Sequence, residues 1–243
     1  MFVNNLDPVA FEFLSFQIRW YSLAYIFGFL IGWFYIKNFL IKDLREKTLV
    51  DDFITYLILG VIIGGRLGYV IFYNFFYYLS HPFEIFFIWQ GGMSFHGGLL
   101  GVCLATYVFD QKYNLNFFRY TDLVSLAAPI GIFLGRVANF INSELYGRET
   151  DFIFSVNFNK VDNLFRHPSQ LYESFFEGIV LFIILNFLWK KFSEVPGVIS
   201  SLFLIFYSLF RFIIEFTREP DAHLGILMNI FTYGQMLLSL IHI

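Results

Sequence analysis

Apolar residues run in blocks of about 18 to 22 along most of the chain, separated by short polar breaks, and a run of that length spans a bilayer as a helix. The pattern predicts spans over Trp20 to Leu40, Phe53 to Tyr73, Phe95 to Phe109, Leu123 to Ile141, Gln170 to Leu188, Gly197 to Phe216 and Leu224 to Ile243. The third block is short, and the FEIFFIW run before it reads as an interfacial or re-entrant piece. Between the fourth and fifth blocks, DFIFSVNFN alternates apolar and polar positions over Asp151 to Asn159, the period of a strand. The expected fold is therefore an all-α integral membrane protein of seven helices forming one polytopic domain over 1–243. A small external loop or cap occupies 142–168.

Composition agrees with this reading and narrows the function. Of the 243 residues, 58% are hydrophobic and only 14% charged, against roughly 25% in soluble domains. The opening MFVNNLDP lacks a basic stretch before a short apolar one, so it is expected to be retained rather than cleaved. A lone cysteine, Cys103, excludes an internal disulfide, no HExxH or GxSxG motif occurs, and neither a metal nor a cofactor is implied. The formal charge of -3 is too small to point to nucleic acid.

The positions of the basic residues set an orientation. Lys37, Lys42, Arg45, Lys47, Lys112, Arg119, Lys190 and Lys191 fall on one side, and short-loop cations mark the cytoplasmic face. The N-terminus then lies outside and the C-terminus inside. Arg66, Arg136 and Arg211 fall in the three outward-running spans, about 8 to 10 Å below the outer boundary by helical rise. A membrane arginine costs about 2.5 to 3.5 kcal/mol at a helix centre, so three at one depth need a reason.

Two reasons are open. Arg211 and Glu215 stand four apart and can neutralise each other, and Arg136 can pair with Glu173 or Glu144 from elsewhere in the bundle. Alternatively, the guanidinium forks form an anion site for a phospholipid head group in the outer leaflet. His96, between glycine pairs in GGMSFHGG, is a candidate general base or a structural histidine. His167, before Pro168 and Ser169, reads as a helix cap. The aromatics near the span ends form an interfacial belt, with Tyr21 a candidate for the site as well.

Five stretches carry a family likeness: GGRLGYVIFYN, GGMSFHGGLLG, GRVANFINSELYGR, RHPSQLYE and FRFIIEFTREPD. In this order they resemble the motifs of prolipoprotein diacylglyceryl transferases, with the likeness running from Trp20 to Asp221. The resemblance implies a multi-pass enzyme of the bacterial plasma (inner) membrane with its active site on the periplasmic side. Such an enzyme moves the diacylglyceryl group of phosphatidylglycerol onto the lipobox cysteine of a preprolipoprotein signal peptide, forming a thioether and releasing glycerol phosphate.

The resemblance marks Tyr21, His96, Arg136, Asn139, Glu144, Gly147, Arg211 and Glu215 as functional positions, with Arg66, His167, Glu173 and Arg218 in further motifs. A thiol is mostly protonated at neutral pH, so a base and a stabilised leaving phosphate both help its attack. His96 is assigned the base, Arg136 and Arg211 the phosphate, Glu215 and Glu144 the orientation of the arginines. Asn139 and Tyr21 are assigned to the head group, and Arg66 and Gly147 to substrate binding. The rival is an outer-leaflet phospholipid transporter or flippase, which calls for ionisable residues through the full membrane thickness.

Overall fold

The computed structural model describes residues 2–13, 16–219, 226–227 and 231–232. In chain order these form β1 (Phe2–Asn4), β2 (Val9–Phe13), β3 (Phe16–Arg19), α1 (Trp20–Tyr35), α2 (Leu44–Phe72), α3 (Phe75–Ser80), α4 (Phe95–Tyr113) and α5 (Phe117–Asn142). There follow β4 (Val156–Phe158), β5 (Phe165–Arg166), α6 (Ser169–Glu173), α7 (Leu181–Phe192), α8 (Val198–Glu215), β6 (Ile226–Leu227) and β7 (Phe231–Thr232). Two stretches wind as π-helix, Ile36–Leu40 after α1 and Ser174–Val180 between α6 and α7.

Among the described residues, five helical segments are long and apolar enough to cross a membrane: Trp20–Leu40, Leu44–Phe72, Phe117–Asn142, Ser169–Phe192 and Val198–Glu215. They cover five of the seven expected spans. Over the third expected span lies the 19-residue helix α4, which is not among these five because its end, Asp110, Gln111 and Lys112, dilutes its apolar character. Of the seventh, residues 226–227 and 231–232 form a short antiparallel pair rather than a helix, and the rest lies outside the described residues. The fold is mostly helical rather than all-α, because short strands also appear at the N-terminus and in the 142–168 region.

The chain divides into two compact units, Met1–Phe34 with Val124–Ile243, and Tyr35–Leu123. The 35–123 unit is built on the packing of α2 against α4. Gly60, Gly64 and Gly68 recur every fourth residue on α2 and face Gly97, Gly101 and Ala105 of α4; an added Cβ at Gly101 would enter the Gly60 carbonyl. Small residues at this spacing let helix backbones meet, which is how membrane helices gain contact without a hydrophobic driving force. Gly64 and Gly68 beside Arg66 and Gly97 beside His96 thus serve helix packing. At the far end of this unit Phe53, Phe109 and Tyr120 stack in one aromatic cluster, and Arg119 pairs with Glu46 at 3.0 Å.

In the other unit the 142–168 region carries a small sheet, ordered β1-β4-β5, with β4 and β5 antiparallel and β1 parallel to β4. The alternation over Asp151 to Asn159 thus corresponds to a real hairpin strand, shorter than expected. Phe140, Val156 and Phe158 form its buried core with Tyr146 against them. Asn4 fixes the N-terminal strand by donating to the Phe140 carbonyl at 2.6 Å.

Candidate functional site

Three arginines and three glutamates meet inside the unit that contains α5 to α8. Glu173, at the end of α6, is the hub: it takes Arg136 Nε from α5 at 3.0 Å, Arg218 Nη1 at 3.4 Å, and Arg211 Nη1 from α8. Glu215 takes Arg211 Nη2 at 2.7 Å, and Glu177 lies 3.6 Å from Arg136 Nη2. The two halves of the cluster are not equally covered. Glu173 and Glu177 are fully buried, whereas the side chains of Arg136 and Arg211 retain 18% and 12% of their exposure. The carboxylates form the back of the site and the guanidiniums its open side.

Local sequence explains this layering. Glu173 and Glu177 are four apart, hence on one face of their helix. The segment carrying Glu177 is wound as a π-helix, a rare form that gathers at functional sites. Gly178 brings this segment against Phe133 of α5, where an added Cβ would clash with the Phe133 backbone and side chain. Tyr207 of α8 borders the cluster, with its hydroxyl beside Arg136.

The turn after α5 adds a polar edge. Ser143 and Leu145 both adopt left-handed backbone, with φ of 60° and 55°, a conformation uncommon for non-glycine residues and found at sites that are held by their surroundings. The two alternate around Glu144, whose carboxylate accepts from Asn139 at 3.1 Å and Asn142 at 3.4 Å. The next helix holds the strained turn: Gln170 Nε2 donates to the Glu144 carbonyl at 2.6 Å and Ser169 Oγ to the Leu145 carbonyl at 2.9 Å. Tyr21 of α1 lies within electrostatic range of both Glu144 and Arg136. The Glu144 carboxylate, expected to orient an arginine, accepts here from two asparagines, and the arginines pair with Glu173, Glu177 and Glu215.

Gly147 is wedged between the backbones of His167 and Thr217. Its N–H donates to the His167 carbonyl at 2.9 Å, and an added Cβ would meet the His167 and Thr217 carbonyl oxygens. His167 does not cap the helix: Pro168 occupies the cap position without a side-chain bond, and the His167 ring instead sits 3.3 Å from the Tyr172 hydroxyl. Burial holds the His167 imidazole below its ordinary range. Arg166 stacks on Tyr146 and is bound to Asp162 at 2.7 Å, an ion pair that holds the Asp162 carboxyl below the usual carboxylate range.

Arg66, in the 35–123 unit, is used differently. Its guanidinium donates to four backbone carbonyls, from Nε to Ile85 at 2.8 Å, from Nη2 to Glu84 at 2.7 Å, and from Nη1 to Gly91 at 2.5 Å and Gly92 at 3.2 Å. The Tyr78 ring lies over it at 5.3 Å, and the residue is buried. The FEIFFIW run is wound in two short 3-10 turns around this cation. Gly91 and Gly92, with φ of 83° and 80°, make the sharp exit that a side chain would strain. Ser94 then caps α4 by accepting from Gly97 at 3.2 Å, and its N–H ties back to the Gly65 carbonyl at 2.9 Å. His96 stands exposed on the first turn of α4, its ring edge-on to Phe95.

Sequence reasoning missed three members of these arrangements. Glu177 was overlooked because it lies inside an apolar block, although its spacing from Glu173 was visible. Ser169 and Gln170 were overlooked because their task, bracing the carbonyls of a distant turn, leaves no local pattern.

Comparison with known proteins covers nearly the whole chain. A family model described as prolipoprotein diacylglyceryl transferase matches residues 8–243. A Rickettsia typhi protein named phosphatidylglycerol–prolipoprotein diacylglyceryl transferase is 48% identical over 241 residues, 98% of this chain and 93% of the relative. A Rickettsia canadensis protein of the same name is 50% identical over 242 residues, with 98% and 93% covered, and one from Rickettsia felis is 49% identical over 238, with 96% and 92% covered.

Proposed function

The chain belongs to the prolipoprotein diacylglyceryl transferase family, and we propose that it transfers the diacylglyceryl group of phosphatidylglycerol to the lipobox cysteine of preprolipoprotein signal peptides. The cysteine sulfur attacks the glycerol carbon that carries the phosphate; the carbon–sulfur bond forms, the carbon–oxygen bond breaks, and glycerol phosphate leaves. The observation that carries the reading is the layered cluster, in which buried Glu173, Glu177 and Glu215 stand behind the partly open Arg136 and Arg211. Fixed cations aimed at an anion stabilise charge that grows on a leaving oxygen without reorganising during the reaction.

In this reading Arg136 and Arg211 grip the phosphate, and Glu173 and Glu215 set their angle. Asn139, held by Glu144, and Tyr21 face the glycerol head group. His96 takes the thiol proton. Gly147 acts by allowing the close approach of three backbone segments, and Arg66 by holding the 84–92 segment that leads to Ser94 and His96. The proposal includes seven spans in one polytopic domain of the bacterial inner membrane, with 142–168 as an external cap. It also includes a periplasmic N-terminus and site and a cytoplasmic C-terminus, as the basic residues of the short loops argue. A lipid transporter gains no support from the relatives, whose names all describe a transferase.

The test is purified protein with phosphatidylglycerol and a lipobox peptide bearing either cysteine or serine. The expected result is a diacylglyceryl mass on the cysteine peptide alone, release of glycerol phosphate, and loss of product in Arg136→Ala. No product from a folded sample that binds lipid would overturn the proposal.

A further inference from the structure

Glu177 is the buried acid for which the transfer reaction gives no task. It is fully enclosed, and neither of its oxygens receives a hydrogen bond among the described residues; its nearest cation is Arg136 Nη2 at 3.6 Å. The ionisable groups around it are Arg136 from α5, Glu215 and the Tyr207 hydroxyl from α8, Arg218 just beyond α8, and Glu173 on its own helix. With all six ionised, three arginines and three glutamates balance to zero charge, and a further ion upsets that balance.

A phosphodiester brings one negative charge. Bound at Arg136 and Arg211, it leaves this low-dielectric cluster with one carboxylate in excess, and a buried group in that position neutralises rather than stay uncompensated. The three carboxylates do not stand equal. Glu173 contacts three arginines and Glu215 holds Arg211 at 2.7 Å, so protonating either breaks a short ion pair. Protonating Glu177 gives up the 3.6 Å contact and the attraction of the more distant Arg218, with no hydrogen bond to break.

We propose that Glu177 takes up one proton when an anionic lipid head group binds at Arg136 and Arg211, so that the cluster is neutral both empty and loaded. The inference rests on the transferase reading of that site. It makes Glu177 a positioning residue for the anion, and ties lipid binding to pH through a group that touches neither lipid nor thiol.

The experiment titrates dioctanoyl phosphatidylglycerol into the purified full chain in detergent, in weak buffer with a pH-sensitive dye, while binding is followed in parallel. Expected is uptake of about one proton per lipid bound, with affinity falling up to about tenfold per pH unit as pH rises. Glu177→Gln, permanently neutral, is expected to bind the lipid with no proton uptake and a flat pH dependence. An infrared difference spectrum of the unaltered protein provides a readout that needs no variant: lipid binding should bring up the carbonyl band of a protonated carboxylic acid. Binding without proton uptake, without that band, or with uptake unchanged in a folded Glu177→Gln overturns the inference while leaving the transferase reading intact. Failure of the lipid to bind at all overturns both.

Discussion

Arg66 and Arg136 sit in look-alike sequence, GGRLGYV and LGRVANF, yet are stabilised in opposite ways. Arg66 is wrapped by a loop that folds over it, and backbone carbonyls of residues 84, 85, 91 and 92 accept from all three of its nitrogens. Arg136 is backed from one side by carboxylates on a neighbouring helix and stays partly open on the other. Carbonyl dipoles orient a cation but consume its donors one by one; carboxylates cancel its charge while leaving an edge to display. The same side chain is therefore a fastener in one unit, while in the other it keeps the open edge that the proposed function uses for recognition. The difference lies in what its neighbours spend on it.

The comparison breaks most visibly at the hub. Glu173→Gln leaves Arg136, Arg211 and Arg218 short of a charge they share, and loss of one partner from a buried ion pair costs about 3 to 5 kcal/mol. Thermal unfolding in detergent should drop accordingly, and an unchanged melting temperature would mean that the hub does not hold the arginines. Next, Arg136→Lys keeps charge but cannot span Glu173 and an anion together; turnover should fall about 10²- to 10³-fold with abundance unchanged. Near-normal turnover in that variant would remove the fork from the mechanism.

For Arg66→Met the expected loss is in stability, about 1 to 3 kcal/mol for each carbonyl left buried and unpaired, with new protease sensitivity confined to residues 81–94. If Arg66→Met instead lost lipid binding from an intact, protease-resistant loop, the two arginines would share one task after all. The smallest effect belongs to a third arginine, Arg166, paired with the partly exposed Asp162. The unfolded Asp162 carboxyl takes up its proton at a higher pH than the folded one. The pair therefore adds stability above the ordinary aspartate range and loses it as pH falls through that range to the folded value. Solvent screening keeps this under about 1 kcal/mol, so Asp162→Asn should cost little at neutral pH and nothing in acid.

The sequence made the helices legible because membrane spans are written in length and apolarity, signals that survive local error. It made the arginines legible too, since a cation in an apolar block is conspicuous. Their partners were harder to see. The Arg211 and Glu215 pair followed from i, i+4 spacing, but the convergence of three arginines on Glu173 depends on how α5, α6 and α8 pack. Arg66 shows the limit most clearly: its partners are backbone carbonyls, which every residue possesses and no sequence pattern marks. The first strand, β1, escaped notice for a related reason, because its pairing with Val156–Phe158 joins segments far apart in the chain.

The π-helical stretch Ser174–Val180 sets which way the start of this span faces. A π-helix carries more chain per turn than an α-helix, so each of its residues turns the chain by less than the ~100° of an α-helical step. If the same seven residues wound as regular α-helix, the surplus rotation would carry everything upstream around the axis relative to everything downstream. Glu173 would leave the arginines, and Ser169 and Gln170 would release the turn around Glu144. Removing one residue along with the wide winding would cancel that rotation, so the extra residue and the wide turns come as a pair.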